Sequence, residues 1–163
     1  MTADDVLEVL GALRAAGAAV WVGGGWGIDA LVGHQTREHR DLDLMHRAEQ
    51  EPAVLAAMAG LGFTETLDQR PVRFVLADTQ GRELDLHPLH FTPDGSATQS
   101  SFDPATPFTY PASSFTTGTI TETPVPCLSA AQQVHFHQGY TPTDRDRHDM
   151  AQLREQFGIR THF

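Results

Sequence analysis

The chain has 163 residues and a mass of 17.8 kDa, with 40% hydrophobic and 20% charged residues, the make-up of one globular domain rather than of a disordered or fibrous chain. No apolar run approaches the roughly 18 residues a membrane helix needs, and the single cysteine, Cys127, excludes an internal disulfide and any multi-cysteine metal site. Against 21 acidic residues stand 11 basic ones, a net charge of −10, which repels duplex nucleic acid and anionic lipid and attracts small cations.

All 11 basic residues are arginine. Without lysine there is no Walker lysine, no Schiff base and no lysyl-nucleotide intermediate, so P-loop ATPase and ligase-type chemistry drop out. No Gly-x-Ser-x-Gly motif supports a serine hydrolase. The acidic start MTADDVLEVL lacks the positive charge of a secretory signal, which predicts a cytoplasmic protein.

In chain order, Val6, Leu7, Leu10 and Leu13 recur at helical spacing between Asp4 and Ala16, with Gly17 as a stop. Val20 to Val22 form a short apolar strand that runs into Gly23-Gly24-Gly25, and Trp26 to Val32 read as a short helix ended by Gly33. Asp41 and Asp43 alternate with Leu42 and Leu44 on a half-buried strand. A helix over 52–61 is closed by Gly62, and strands follow over 72–77 and 83–89. The Pro-, Ser-, Thr- and Gly-rich stretch 91–119 reads as a long loop with at most brief strands, and 121–126 as an extended piece. Helices resume over 129–139 and 144–157, with Ser129 and Asp144 as N-caps. This order predicts an α+β fold, a small mixed sheet with helices gathered on one side. The predicted core spans 1–127 and a short helical segment spans 128–163, both within one compact unit.

Alternation puts Asp41 and Asp43 on the same strand face, roughly 6.5–7 Å apart. Paired carboxylates repel unless a cation neutralises them, and their oxygens suit Mg²⁺; a solvated sheet face explains the same pattern. Asp85 has the same alternation on a later strand, so neighbouring strands would bring three carboxylates together. The glycine turn leaves backbone N–H groups open at a helix start, a place for phosphate oxygens or simply a tight turn. The ordered set of glycine turn, short helix, Asp-x-Asp strand 16 residues after Gly25 and a third aspartate is rarer than its parts. Arg37 and Arg40 flank the acidic strand and serve either triphosphate oxygens or ion pairs with Glu38 and the aspartates. Asp29 is placed to brace this arginine loop. Arg147 and His148 offer a third wall, and Cys127 reads as a small buried residue.

This set resembles the DNA polymerase β-like nucleotidyltransferases, and within them the small antibiotic nucleotidyltransferases of the lincosamide and aminoglycoside 2″ types. The resemblance rests on Gly24-Gly25-Trp26-Gly27-Ile28-Asp29, Gly33, Arg37-Glu38-His39-Arg40-Asp41-Leu42-Asp43, Leu84-Asp85-Leu86-His87-Pro88 and Pro126-Cys127-Leu128-Ser129-Ala130. The block from His137-Gln138-Gly139-Tyr140 through Arg147-His148-Asp149-Met150 to Leu153 is similar to the lincosamide branch.

The resemblance implies a polymerase β-like core and transfer of a nucleoside monophosphate, AMP from ATP as the first expectation, to a hydroxyl of a small molecule. It implies Asp41, Asp43 and Asp85 as ligands of two Mg²⁺ ions, with Asp85 accepting the hydroxyl's proton. The nucleotide is expected on Gly24, Gly25, Trp26, Arg37, Arg40, Arg147 and His148, and the acceptor on Phe102 and Tyr110 of the long loop. A lincosamide is the expected acceptor; an aminoglycoside or another small molecule is the alternative. A nucleotide-binding module without catalysis, and a toxin-like nucleotidyltransferase acting on protein or tRNA, are the other readings. A homodimer that completes the acceptor pocket is a further expectation.

Overall fold

Leucines beneath and aspartates above decide how the central sheet faces. The computed structural model describes residues 1–163. Helix α1 (Ala3–Ala15) opens on a capping box in which Thr2 and Asp5 satisfy each other's backbone N–H groups, and buries Val6, Val9, Leu10 and Leu13. Strand β1 (Val20–Val22) leads into α2 (Gly24–Val32), which Gly33 ends in the left-handed conformation. Then come β2 (Asp41–Arg47), α3 (Glu51–Gly60), β3 (Thr64–Gln69), β4 (Arg73–Ala77) and β5 (Glu83–Phe91). The second half holds β6 (Ala97–Gln99), β7 (Phe108–Tyr110), β8 (Phe115–Ile120), β9 (Thr123–Leu128), α4 (Ala130–Phe136) and α5 (Asp144–Phe157).

The strands form one mixed sheet in the order β3-β4-β5-β2-β1-β9-β8, with β6 and β7 continuing from β5. The β2/β5 and β1/β9 pairs are parallel and the others antiparallel. On one face Leu42, Leu44, Phe74, Leu76, Leu84 and Leu86 pack with Val6, Val9 and Leu13 of α1 and Val54 and Met58 of α3 in a single core. A smaller cluster of Met45, Leu89, Ala97, Tyr110 and Leu128 holds the β6–β7 extension, with Trp21, Phe91, Phe115 and Phe136 against it. The last two helices dock on α2, where Ile28 meets Val134, Met150 and Leu153. No helix is long and apolar enough to cross a membrane.

The α+β class is as expected, but the sheet is not small: it has nine strands. Strand β3 carries no sequence signal, because it is an edge strand with five exposed residues in six and no apolar alternation. The stretch 91–119 has the expected loops and brief strands, but it also carries one full-length strand that the sequence does not announce. It holds β6, β7 and all of β8 but its last residue, and β8 pairs with β9 from Phe115↔Leu128 to Ile120↔Thr123. The β8–β9 hairpin turns on Thr121 (φ 46°) and Glu122 (φ 64°), where Asn-Gly is the usual pair, so no turn signal was visible. Gly118 lets β8 pass under α2, since a Cβ there would collide with the Ala30 carbonyl. Ser129 caps α4 as expected, whereas α5 is capped by Thr143 through a capping box with Asp146, and Asp144 is its first helical residue.

Leu84→Ala should lower the unfolding free energy by about 2–5 kcal/mol, because the fully buried leucine leaves a cavity; urea denaturation measures it. His46 is also fully buried, on the helix side beside Phe74. Burial holds its imidazole below the usual histidine range, against the opposing pull of the Arg47 carbonyl and Glu51. Below about pH 6.5 the unfolded chain therefore binds a proton that the native state refuses. Stability should fall as pH drops through that window, and His46→Leu should flatten the slope in urea midpoints taken from pH 7.5 to 5.5.

Candidate active site

Register builds the site. Strands β2 and β5 run parallel with Asp41 opposite Glu83, Asp43 opposite Asp85 and Met45 opposite His87, so the leucines between them face the core and these side chains share the other face. One oxygen each from Asp43 and Asp85 and one His87 nitrogen lie within 4.8 Å of one another. The expected meeting of Asp43 with Asp85 is therefore found. Asp41 is exposed, one pleat along β2 and outside that cluster. His87 takes part unexpectedly, although its spacing from Asp85 was readable as the same strand face.

Asp85 is also held by Arg73 of β4, whose Nε and Nη2 each lie 3.0 Å from a carboxylate oxygen. Burial pushes the Asp85 carboxyl above its usual range, with the charges of Asp43 and Asp41 adding to the rise and those of His87 and Arg73 opposing it. Arg73 was not readable from sequence, since it reaches Asp85 only through the antiparallel β4/β5 pairing.

The glycine turn serves close approach. Gly24 has φ 52°, and a Cβ there would collide with Asp43 Oδ2; a Cβ at Gly25 would collide with the His39 ring. The Gly23 N–H donates to the Asp43 carbonyl at 2.9 Å, tying the turn to β2. The Trp26 indole is buried in the main core and lies 4.8 Å from the His39 ring, so only its backbone can face a nucleotide.

Buried Asp29 braces the arginine loop as expected. One of its oxygens accepts from the Thr36 N–H (3.1 Å) and hydroxyl (2.7 Å), and the other pairs with His39 Nε2. Arg37 does not pair with Glu38's carboxylate or the site aspartates; it makes a two-pronged bond to Asp149 of α5, at 2.8 and 2.6 Å. Exposed Arg40 and Arg145 flank a polar cleft of about 580 Å³ that also reaches Asp41 and Glu83. Arg147 is exposed on α5, and His148 is half-buried with Nε2 unpartnered.

On the other side of Asp43 lies a cavity of about 290 Å³, walled by Met45, Phe108, Tyr110, Leu128 and Phe136 and floored by Gly24, Asp43 and His87. Tyr110, on β7, lines this cavity, its ring 5.2 Å from that of Phe136. Phe102 is not: it is 73% exposed, in the irregular segment between β6 and β7, and lines neither cavity. Phe108, which begins β7, provides the aromatic wall instead. Cys127 is buried, its thiol pushed up to about 11 by burial.

The donor set fits a hard cation: Asp43 and Asp85 offer oxygens side by side, Asp41 lies next along the strand, and the missing Cβ of Gly24 keeps Asp43 in place. Gly24→Ala should turn Asp43 away and weaken binding of Mn²⁺, used as a spectroscopic substitute, about tenfold or more, with unchanged far-ultraviolet circular dichroism.

The sequence model of the family described as Aminoglycoside-2''-adenylyltransferase matches residues 5–153. A lincosamide resistance protein of Staphylococcus haemolyticus is 29% identical over 154 residues, 94% of this chain and 95% of that protein. A 2''-aminoglycoside nucleotidyltransferase of Klebsiella pneumoniae is 40% identical over 63 residues, 37% of this chain and 36% of that protein. Among solved structures, the lincosamide antibiotic adenylyltransferase LnuA with lincomycin bound superposes with a TM-score of 0.86 at 29% identity, covering 96% of this chain and 98% of that one. ANT(2'')-Ia in complex with adenylyl-2''-tobramycin shares the fold, with a TM-score of 0.75 at 22% identity over 96% of this chain and 89% of that one. The family match takes in the glycine turn, both aspartate strands and most of the last helix, and the chain belongs to the aminoglycoside-2''-adenylyltransferase family.

Proposed function

We propose that the protein transfers AMP from ATP to a hydroxyl of a small-molecule antibiotic, a lincosamide first, with two Mg²⁺ ions held by Asp41, Asp43 and Asp85. The observation that carries this is the facing of Asp43 and Asp85 between two unlike openings, an arginine-flanked polar cleft and an aromatic-walled cavity. A triphosphate suits the first opening and an uncharged ring system the second. Similarity to the lincosamide resistance protein over nearly the full length of both chains supports the choice of acceptor. An aminoglycoside is the second reading, supported by the net charge of −10, which favours a polycation.

The acceptor's hydroxyl oxygen attacks the α-phosphorus of ATP, the bond to the bridging oxygen breaks, and pyrophosphate leaves. Mg²⁺ on the carboxylates would supply charge stabilisation at the attacking and leaving oxygens. Asp85 takes the hydroxyl proton, and a carboxyl raised by burial is a better base than an exposed one. Arg73 keeps both Asp85 oxygens oriented while it does so. Arg37, Arg40, Arg147 and His148, with the backbone of Gly24, Gly25 and Trp26, are the nucleotide side; Phe108 and Tyr110 are the acceptor side. The reaction belongs in the cytoplasm, where ATP is supplied. A homodimer that adds to the acceptor wall is part of the proposal, and light scattering that finds a fully active monomer overturns that part.

The reaction is tested by pyrophosphate release from Mg-ATP with lincomycin, clindamycin and aminoglycosides in turn, and by mass spectrometry of the product. An adduct of one AMP on lincomycin is expected. Asp85→Asn should cut turnover by about 10²–10⁴-fold while Mg-ATP still binds; an indifferent variant would point to a binding module.

A further inference from the structure

One amide oxygen in the aromatic-walled cavity is left without a partner. Gln133 of α4 is 2% exposed and lines that cavity with Gly24, Asp43, Phe108 and Phe136. Its side-chain nitrogen donates to the Gly24 carbonyl at 3.3 Å. Turning the amide over would set two carbonyl oxygens against each other there, so the nitrogen stays on the glycine turn and Oε1 is the open end. The seat is a fitted one: a Cβ at Gly27 would strike that nitrogen as well as the Val22 carbonyl.

Oε1 receives no hydrogen bond from the protein, and it is not sealed in: the side-chain atoms that are both buried and unpartnered are nitrogens of Trp26, His46, His87 and His148. It therefore opens on the cavity that Gln133 lines. Nearby, Gln99 donates to the Val72 carbonyl, contacts His87 Nδ1 and accepts from the Tyr110 hydroxyl, so that pair is satisfied internally. His137, one turn on, gives its Nδ1–H to the Gln133 backbone carbonyl at 2.7 Å and has Nε2 3.9 Å from Asp146 of α5. Once an organic molecule fills the cavity and displaces water, only a donor on that molecule can satisfy Oε1.

We propose that Gln133 is a specificity residue whose Oε1 accepts a hydrogen bond from the antibiotic, from an O–H or N–H other than the hydroxyl that is adenylylated. The inference rests on the nucleotidyl-transfer reading and names the acceptor's local chemistry. Gly24 touches both groups: its carbonyl takes the Gln133 N–H, and its missing Cβ leaves room for Asp43 Oδ2. The second donor accordingly sits near the reacting hydroxyl, as in a polyhydroxylated or amino sugar. An ether oxygen at that place meets Oε1 acceptor to acceptor and is rejected.

The test uses the full chain with Mg-ATP and whichever of lincomycin or tobramycin the wild type adenylylates. Among derivatives that each lack one hydroxyl or one amine, but keep the reacting hydroxyl, one should show a KM about tenfold higher, the size of one lost hydrogen bond. A deoxy compound assigns the contact to O–H, a deamino compound to N–H. Gln133→Met should raise the KM of the parent compound by a similar factor and add nothing for that derivative, with the Mg-ATP KM and Mn²⁺ affinity unchanged. Additive losses for every derivative overturn the proposal. So does weakened Mn²⁺ binding in Gln133→Met, which would make Gln133 only a brace for the glycine turn. The wild-type side-chain amide, ¹⁵N-labelled and assigned through bonds, gives a reading that needs no variant: a hydrogen bond to Oε1 should move its nitrogen downfield when the antibiotic is added with a non-hydrolysable ATP analogue. Wild-type protein that transfers AMP to neither compound overturns the reaction instead; a downfield shift on adding lincomycin or tobramycin then upholds the contact, and an unmoved resonance rejects it.

Discussion

The in-register pairing of β2 with β5 is the constraint on which the site depends. Strand registers shift by whole residues, and a slip of β2 by one would turn Asp41 and Asp43 into the core and expose Leu42 and Leu44. Leu42, Leu44, Leu84 and Leu86 are all fully buried under α1 and α3, and their burial is what resists the slip. Hydrophobic packing on one face thus holds like charges together on the other, where they would otherwise repel. Arg73 offsets part of that repulsion from the neighbouring strand.

Around this pair the molecule is organised by close approach rather than by long side chains. Gly24 and Gly25 lie where any side chain would strike Asp43 or His39, so the first turn of α2 can rest directly on the acidic strand. A single buried carboxylate, Asp29, then orders the loop that carries Arg37 and Arg40 by accepting from Thr36 and pairing with His39. A buried carboxylate is tolerated only with such partners, so the brace and the loop depend on each other. The two openings differ accordingly, with charged side chains of both signs at one and aromatic rings at the other.

The residues most legible in the sequence were those with local, periodic signals. Asp-x-Asp between leucines announces a strand with a polar face, and Ser129 before an apolar helix announces a cap. The features that stayed hidden depend on partners far along the chain or on unusual backbone. Arg73 joins the site through a sheet neighbour that no spacing reveals, and Gln99 reaches His87 from a strand of only three residues. The β8–β9 hairpin turns on Thr121 and Glu122, which carry no turn signature, and β3 is too exposed to alternate. Phe102 and Phe108 are indistinguishable by type; only the placement of β7 separates the solvent-facing ring from the wall of the cavity.

The bond from Arg37 to Asp149 joins residues 112 apart in sequence, whereas Asp43 and Asp85 are separated by 42. A chain leaving the ribosome can therefore pair its two aspartate strands long before α5 emerges. The arginine loop receives its last anchor only when the final helix has been made and has docked on α2. The two halves of the site mature at different times: the carboxylates assemble early from nearby strands, and the cationic side is completed near the end of synthesis.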